Sequence, residues 1–184
     1  GMTDKKYNLT SAHEILNTDF PPIKWIVPNM IPEGLTILAG RPKVGKSWLG
    51  LQIALSVVTG GKTFDRDVEA GNVLYLALED GQRRLKERMG YQGWPEESSI
   101  NADMITYREF LKTFGPLHKG GTAKIAEAVE ENNYRMVIID TLEKSLPGIK
   151  DPNNSSEVTR ALTPLHTLAS ERGIAIMALD PHNK

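Results

Sequence analysis

Apolar and polar residues follow two periods along this chain, and together they predict alternating strands and helices. Short, largely apolar runs predict strands at residues 35–39, 73–78, 136–139 and 174–179, with a shorter one at 104–107. Segments with one apolar face predict helices at residues 46–59, 82–89, 122–132 and from 155 or 156 to 172. This order indicates an α/β fold with a mostly parallel sheet of about five strands flanked by helices.

The first 34 residues lack this regularity and are predicted to form an arm, with residues 35–184 as the core domain. Ser11 and Glu14 have the spacing of a capping box at the start of a short helix. Trp25 follows a Pro-Pro pair and is interpreted as a buried anchor for the arm, with stacking on a base or a neighbouring subunit as the alternative.

The length and composition of the chain limit its size class and its cellular setting, but they do not indicate a function. The chain has 184 residues, enough for one well-buried domain, and a formal net charge of -1 that favours no particular partner. It has no cysteine, which suits a cytoplasmic protein, and no apolar run approaches the roughly 18 residues of a membrane span.

The clearest chemical signal is Gly-Arg-Pro-Lys-Val-Gly-Lys-Ser at residues 40–47, which fits G-x-x-x-x-G-K-[ST] and lies between a predicted strand and a predicted helix. Backbone amides at the start of that helix form an anion site for the β- and γ-phosphates of ATP. Lys46 would bring a positive charge to these phosphates, and the Ser47 hydroxyl would ligate Mg²⁺. The predicted nucleotide contacts are Gly40, Arg41, Pro42, Lys43, Val44, Gly45, Lys46, Ser47 and Trp48.

Two later strands end in carboxylates. Asp140 closes the run 136–139 as a Walker B aspartate would, and it is predicted to orient a water of the Mg²⁺ ion. Glu79 and Asp80 follow the run 73–78, at the strand end where ligands lie in open α/β sheets. We predict a chemical role for Glu79 and assign Asp80 to the cap of the next helix.

These residues together resemble the RecA-like ATPases, in the branch that contains RepA-type hexameric helicases and the AAA_25 domains. The resemblance rests on residues 40–47, on Leu-Tyr-Leu-Ala-Leu-Glu-Asp at 74–80, on Ile-Ile-Asp-Thr-Leu at 138–142, and on His182 and Lys184. The lead-in Pro-Pro-Ile-Lys-Trp-Ile-Val-Pro at 21–28 is also similar to that branch.

The resemblance implies catalytic roles for Lys46, Glu79, His182 and Lys184. Glu79 would be the general base that polarises the attacking water, and His182 with Lys184 would sense the γ-phosphate. Pro181 stands where the family has the first histidine of that sensing pattern. The resemblance also implies a hexamer with an arginine or lysine supplied by a neighbour, for which Arg83, Arg84 and Arg88 are the candidates. A basic helix of this kind is more often a solvated face than a nucleic-acid or intersubunit surface.

The family also implies the strand order, with 104–107 first, then 73–78, 136–140, 174–179 and 35–40. In the family the chain continues past the point that corresponds to Lys184, so we expect a truncated domain or a partner that covers strand 35–39. The resemblance implies an ATP-hydrolysing motor of DNA replication or recombination that acts on single-stranded DNA. The alternative is a KaiC-like nucleotide-gated regulator or assembly ATPase that does not translocate, and a small-molecule kinase is disfavoured.

Overall fold

The structure is a computed structural model that describes residues 6–40, 45–63, 65–150 and 156–180. Strands and helices alternate through most of the chain, as the hydrophobic pattern predicts. In chain order the elements are α1 (Ala12–Leu16), β1 (Trp25–Val27), β2 (Ile31–Pro32), β3 (Gly34–Ala39), α2 (Lys46–Thr59), β4 (Lys62–Thr63), β5 (Arg66–Asp67), β6 (Asn72–Ala77), α3 (Gln82–Gln92), α4 (Glu96–Ser99), β7 (Ala102–Thr106), α5 (Tyr107–Thr113), α6 (Gly121–Asn132), β8 (Tyr134–Asp140), α7 (Ser156–Arg172) and β9 (Ala175–Asp180).

The centre of the protein is a five-stranded sheet in the order β3-β9-β8-β6-β7, with every neighbouring pair parallel. This order confirms the one implied by the family resemblance. It places β8 in the middle, between β9 and β6. The carboxyl ends of all five strands therefore lie along one edge of the sheet.

The sheet is buried on both faces, which explains why its strands are continuous apolar runs. Successive residues of each strand face opposite sides, so one set packs with α2 and the β1–β2 hairpin and the other with α5, α6 and α7. The strand residues on the α2 face are Val73, Tyr75, Ala77, Met136, Ile138, Ala175, Met177 and Leu179. Those on the opposite face are Leu74, Leu76, Val137, Ile139, Ile176 and Ala178.

Glycines set both ends of α2, the helix that follows the phosphate loop. Gly45 precedes its first residue and Gly60 follows its last, and both have left-handed backbone angles, with φ of 79° and 69°. Helix α7 contains Pro164 in its interior and continues through it as one helix, Ser156–Arg172. Among the described residues, no helix combines the length and the apolar character needed to cross a membrane.

The N-terminal segment divides into an exposed part and a packed part. Residues 7–24 are exposed, and within them the predicted capping box forms, with the Ser11 hydroxyl accepting a hydrogen bond from the backbone of Glu14. The β1–β2 hairpin that follows is different, because Ile26 and Val27 are fully buried in the α2-face core. The division of the chain after residue 34 stays a prediction.

Strand β3 directly precedes the predicted phosphate loop in the sequence and lies at the edge of the sheet. Within the described ranges it pairs with β9 alone, as anticipated. Its side chains are only partly covered, and Ile37 is 39% exposed. An open, apolar edge of this kind is a ready template for pairing with another strand.

Ile138→Ala should destabilise the fold strongly. This side chain is fully buried in the central strand β8, so truncation removes apolar contacts and leaves a cavity. We expect the free energy of unfolding to fall by about 4 kcal/mol in urea denaturation. Ile100→Ala is the matched control, since that side chain is 82% exposed, and equal losses for both variants would contradict the described core.

Candidate nucleotide site

A cleft of about 430 Å³ opens at the carboxyl ends of the central strands. The loop after β6, the end of β8 and the first turn of α2 all contribute to its walls. The residues that line it are Gly45, Lys46, Ser47, Trp48, Glu79, Asp80, Arg84, Arg88, Asp140 and Thr141. Three elements far apart in sequence thus bring the predicted phosphate, metal and water-activating residues into one cleft.

The first turn of α2 supplies the cationic side of the cleft. Lys46 is the first residue of this helix, and its ammonium donates a hydrogen bond of 2.8 Å to the carbonyl oxygen of Gly40. An ammonium has three N–H donors and carries a positive charge, so it can contact more than one acceptor. The backbone amides of the same turn have no intrahelical partners, and they add to the positive potential at the helix start.

Asp140 lies opposite that turn, at the end of the central strand. Its carboxylate is 3% exposed, and Oδ2 accepts a hydrogen bond of 3.1 Å from the hydroxyl of Tyr75. The Tyr75 hydroxyl also lies 3.5 Å from the carbonyl oxygen of Ser47, so it sits between strand and helix. Among the described residues, the other oxygen, Oδ1, is buried without a hydrogen-bond partner.

Burial raises the pKa of both groups, because it disfavours the charged form of each. It raises the pKa of Asp140 above its usual range, against the lowering effect of the Ser47 and Tyr75 hydroxyls, and the charges of Asp80 and Glu79 raise it further. Burial also raises the pKa of Tyr75 well above its ordinary value, and the nearby Asp140 carboxylate adds to the shift. Tyr75 is therefore a firm hydrogen-bond donor, and Asp140 is a carboxylate that gains from any nearby cation.

Glu79 is held by a hydrogen bond at the same edge of the sheet, where β6 and β8 end. Its Oε1 accepts a hydrogen bond of 2.9 Å from the hydroxyl of Thr141, the residue after Asp140. The backbone reinforces this pairing, because the amide of Leu78 donates to the carbonyl oxygen of Asp140 at 2.7 Å. The peptide bond between Asp140 and Thr141 is cis.

The prediction that Asp80 caps the following helix is wrong. The residue before α3 is Gly81, and no side chain caps that helix. Asp80 instead forms ion pairs with Arg88 and with Arg84, the latter at 3.4 Å, because residues one and two turns along α3 face the same cleft. These two arginines therefore line the cleft of their own chain.

Of the remaining predicted site residues, the structure describes some, and the others lie outside the described ranges. Trp48 lies on the cleft wall and is 42% exposed, so its ring is accessible to a ligand. The predicted contacts that lie outside the described residues are Arg41, Pro42, Lys43, Val44, His182 and Lys184. Their roles stay predictions.

The residues present fit a magnesium ion. Mg²⁺ takes hard oxygen ligands, usually one or two protein oxygens together with phosphate oxygens and water. Ser47 and Asp140 offer a hydroxyl and a carboxylate close together in the cleft. The Oδ1 atom of Asp140, which has no hydrogen-bond partner among the described residues, is a buried acceptor that a metal-bound water would satisfy.

Comparison with known proteins agrees with this architecture. A family profile described as an AAA domain, AAA_25, matches residues 3–184. The chain belongs to the AAA_25 family. Among solved structures, the AAA_25 chain is similar to the KaiC-like protein PH0186 from the hyperthermophilic archaeon Pyrococcus horikoshii OT3, with a TM-score of 0.58 and 17% identity over 86% of this chain and 70% of that one. This likeness shows the fold, a RecA-like P-loop ATPase fold.

Sequence reasoning missed the hydrogen-bonding partners of the predicted carboxylates in this AAA_25 domain. Tyr75 and Thr141 were treated only as parts of an apolar strand and of a sequence motif. Tyr75 carried a usable signal, because a tyrosine in a strand buried on both faces needs a partner for its hydroxyl. Arg88 carried a second signal, since it follows Asp80 by eight residues on a predicted helix.

Asp80→Ala should destabilise this AAA_25 domain. The Asp80 side chain is only 7% exposed and that of Arg88 is 28% exposed, so the variant leaves a largely buried guanidinium without its carboxylate. The Arg84 pair adds little, because the Arg84 side chain is 65% exposed. We expect the free energy of unfolding to fall by about 2 kcal/mol in urea denaturation.

The matched control is Glu87→Ala, which removes an exposed carboxylate from the same helix. It should change the free energy of unfolding by less than about 0.5 kcal/mol. A loss for Asp80→Ala no larger than that of the control would show that the ion pairs do not stabilise the fold.

Proposed function

We propose that this domain binds ATP with Mg²⁺ in the described cleft and hydrolyses it. The observation that carries the proposal is the position of Glu79, which lines the same cleft as Lys46, Ser47 and Asp140 although it comes from a different strand. Phosphoryl transfer to water needs little covalent chemistry from the protein, and it depends on charge stabilisation and on an oriented nucleophile. The cleft offers groups for both.

The charge-stabilising groups lie on the α2 side. The ammonium of Lys46 would contact the β- and γ-phosphates, together with the backbone amides at the start of α2. Ser47 and Asp140 would hold Mg²⁺, which when bound neutralises charge on the phosphate oxygens. Trp48 is proposed to contact the nucleotide from the cleft wall.

Glu79 is proposed to orient the attacking water and accept its proton. Thr141 holds one oxygen of the Glu79 carboxylate, so the group has a fixed direction. The second carboxylate oxygen can accept a hydrogen bond from a water molecule. His182 and Lys184 are proposed as γ-phosphate sensors by resemblance to the family.

We further propose that the domain is the ATPase motor of a protein that acts on single-stranded DNA in replication or recombination, assembled as a hexameric ring in the cytoplasm. The support is the family resemblance, and the open edge of β3 is compatible with assembly. The alternative is a nucleotide-gated regulatory or assembly ATPase. The similarity of the fold to that of a KaiC-like protein supports this alternative.

Glu79→Gln should separate ATP binding from hydrolysis. The amide is nearly the same size and keeps a hydrogen-bond acceptor for Thr141, but it cannot take a proton from water. We expect the rate of phosphate release to fall by about 100-fold or more while the affinity for ATP is retained. The measurements are steady-state phosphate release and calorimetric titration with a non-hydrolysable ATP analogue.

Glu87→Gln makes the same chemical change at an exposed position of α3 and should turn over ATP like the unaltered protein. If Glu79→Gln also kept the full rate, Glu79 would have no part in hydrolysis. If neither protein bound the analogue, the nucleotide site itself would be refuted.

Single-stranded DNA should stimulate ATP turnover severalfold if the domain is a DNA motor. The stimulation should weaken as salt rises, because contacts to DNA phosphates release counterions. The measurement is phosphate release with and without an oligonucleotide at two salt concentrations. If the rate of phosphate release is the same with and without DNA, and analytical ultracentrifugation shows an ATP-dependent change of mass, the regulatory alternative is favoured.

A further inference from the structure

The hydroxyl of Tyr75 is the least expected polar group near the cleft. Tyr75 is a fully buried residue of β6, and its neighbours in the strand from Val73 to Ala77 are apolar. A buried hydroxyl costs free energy unless it is hydrogen-bonded, and phenylalanine would fill the same space without that cost. The tyrosine therefore needs a reason that packing alone does not supply.

Its surroundings indicate that reason. The hydroxyl donates to Asp140 Oδ2 at 3.1 Å, whereas Oδ1 of the same carboxylate is buried without a partner among the described residues. One oxygen is thus fixed by the protein and the other is left for a ligand. Because the Tyr75 ring is packed in the core, its hydroxyl can hold the carboxylate in only one orientation.

Helix α2 is shaped to admit this hydroxyl. Gly50 is buried at the point where α2 crosses β6, and a Cβ atom there would lie 2.9 Å from the Tyr75 hydroxyl and 3.2 Å from Leu179 Cδ1. Glycine inside a helix is unfavourable compared with alanine, so its presence here needs compensation. The space that it leaves is occupied by the tyrosine hydroxyl.

We propose that Tyr75 is a positioning residue that orients the Asp140 carboxylate toward Mg²⁺, and that Gly50 provides the space in which its hydroxyl does so. The inference rests on the proposed nucleotide site and adds two residues to it, neither of which contacts the nucleotide. Tyr75 acts only through Asp140. Its contribution therefore appears in the part of nucleotide binding that depends on the metal.

The test compares the affinity for a non-hydrolysable ATP analogue with Mg²⁺ and with EDTA, by calorimetric titration. Tyr75→Phe keeps the ring and removes the hydroxyl. We expect the strengthening of binding by Mg²⁺ to fall by roughly tenfold, as is typical when a group that orients a metal ligand is lost. The affinity in EDTA should stay the same.

Tyr134→Phe is the matched control. Tyr134 is also a buried strand tyrosine, and it also donates its hydroxyl to an aspartate of another strand, Asp103 of β7. It lies at the opposite end of β8 from Asp140, about 20 Å away along the strand. It should lose stability on the same scale as Tyr75→Phe while Mg²⁺ strengthens binding as in the unaltered protein.

Gly50→Ala provides a second, independent variant. Its methyl group should displace the Tyr75 hydroxyl and weaken the effect of Mg²⁺ in the same direction. In a Tyr75→Phe background the same change should add little, because the atom that it displaces is absent. Additive effects in the double variant would overturn the role assigned to Gly50.

The outcomes distinguish a failure of the role assigned to Tyr75 from a failure of the proposed nucleotide and metal site. If the unaltered protein binds the analogue more tightly with Mg²⁺ and Tyr75→Phe does the same, the role of Tyr75 is wrong and the nucleotide site stands. Equal weakening in Mg²⁺ and in EDTA would also overturn it, because that indicates general distortion. If Mg²⁺ does not strengthen binding to the unaltered protein, the proposed metal site fails and this inference fails with it.

Discussion

A carboxylate buried at the end of the central strand is the constraint on which the site depends. Asp140 is held out of water by the sheet on one side and by α2 on the other, and an ionised group in such a place must be compensated. The compensation comes from a strand hydroxyl, from the first turn of α2 and, in the proposed function, from a metal ion. The same burial keeps solvent from competing for these interactions.

The hydrophobic pattern of the chain was enough to predict the sheet, because strands buried on both faces have an unmistakable composition. Five strands and four main helices lie near their predicted positions. The positions of Glu79 and Asp140 at strand ends were likewise predictable, since each directly follows or closes an apolar run. The phosphate loop stays a prediction from its motif, because residues 41–44 lie outside the described part of the chain. The strand order came from resemblance and was confirmed.

The hydrogen bonds within the site could not be predicted, because they join residues 62 and 65 positions apart. Whether Thr141 reaches Glu79 depends on the register of β8 against β6, which no local pattern specifies. The misassigned role of Asp80 has a related cause. An aspartate before a helix predicts a cap, but the ion pair with Arg88 offered a stronger interaction that only the path of α3 reveals.

The register that aligns the site is made by backbone atoms alone. Ala77 pairs with Asp140 and the amide of Leu78 continues the ladder, so many different apolar side chains in the core are compatible with the same spacing of Glu79 and Asp140. Sequence can therefore diverge widely inside such a sheet while the strand ends keep their alignment. A fold shared at 17% identity is consistent with this arrangement.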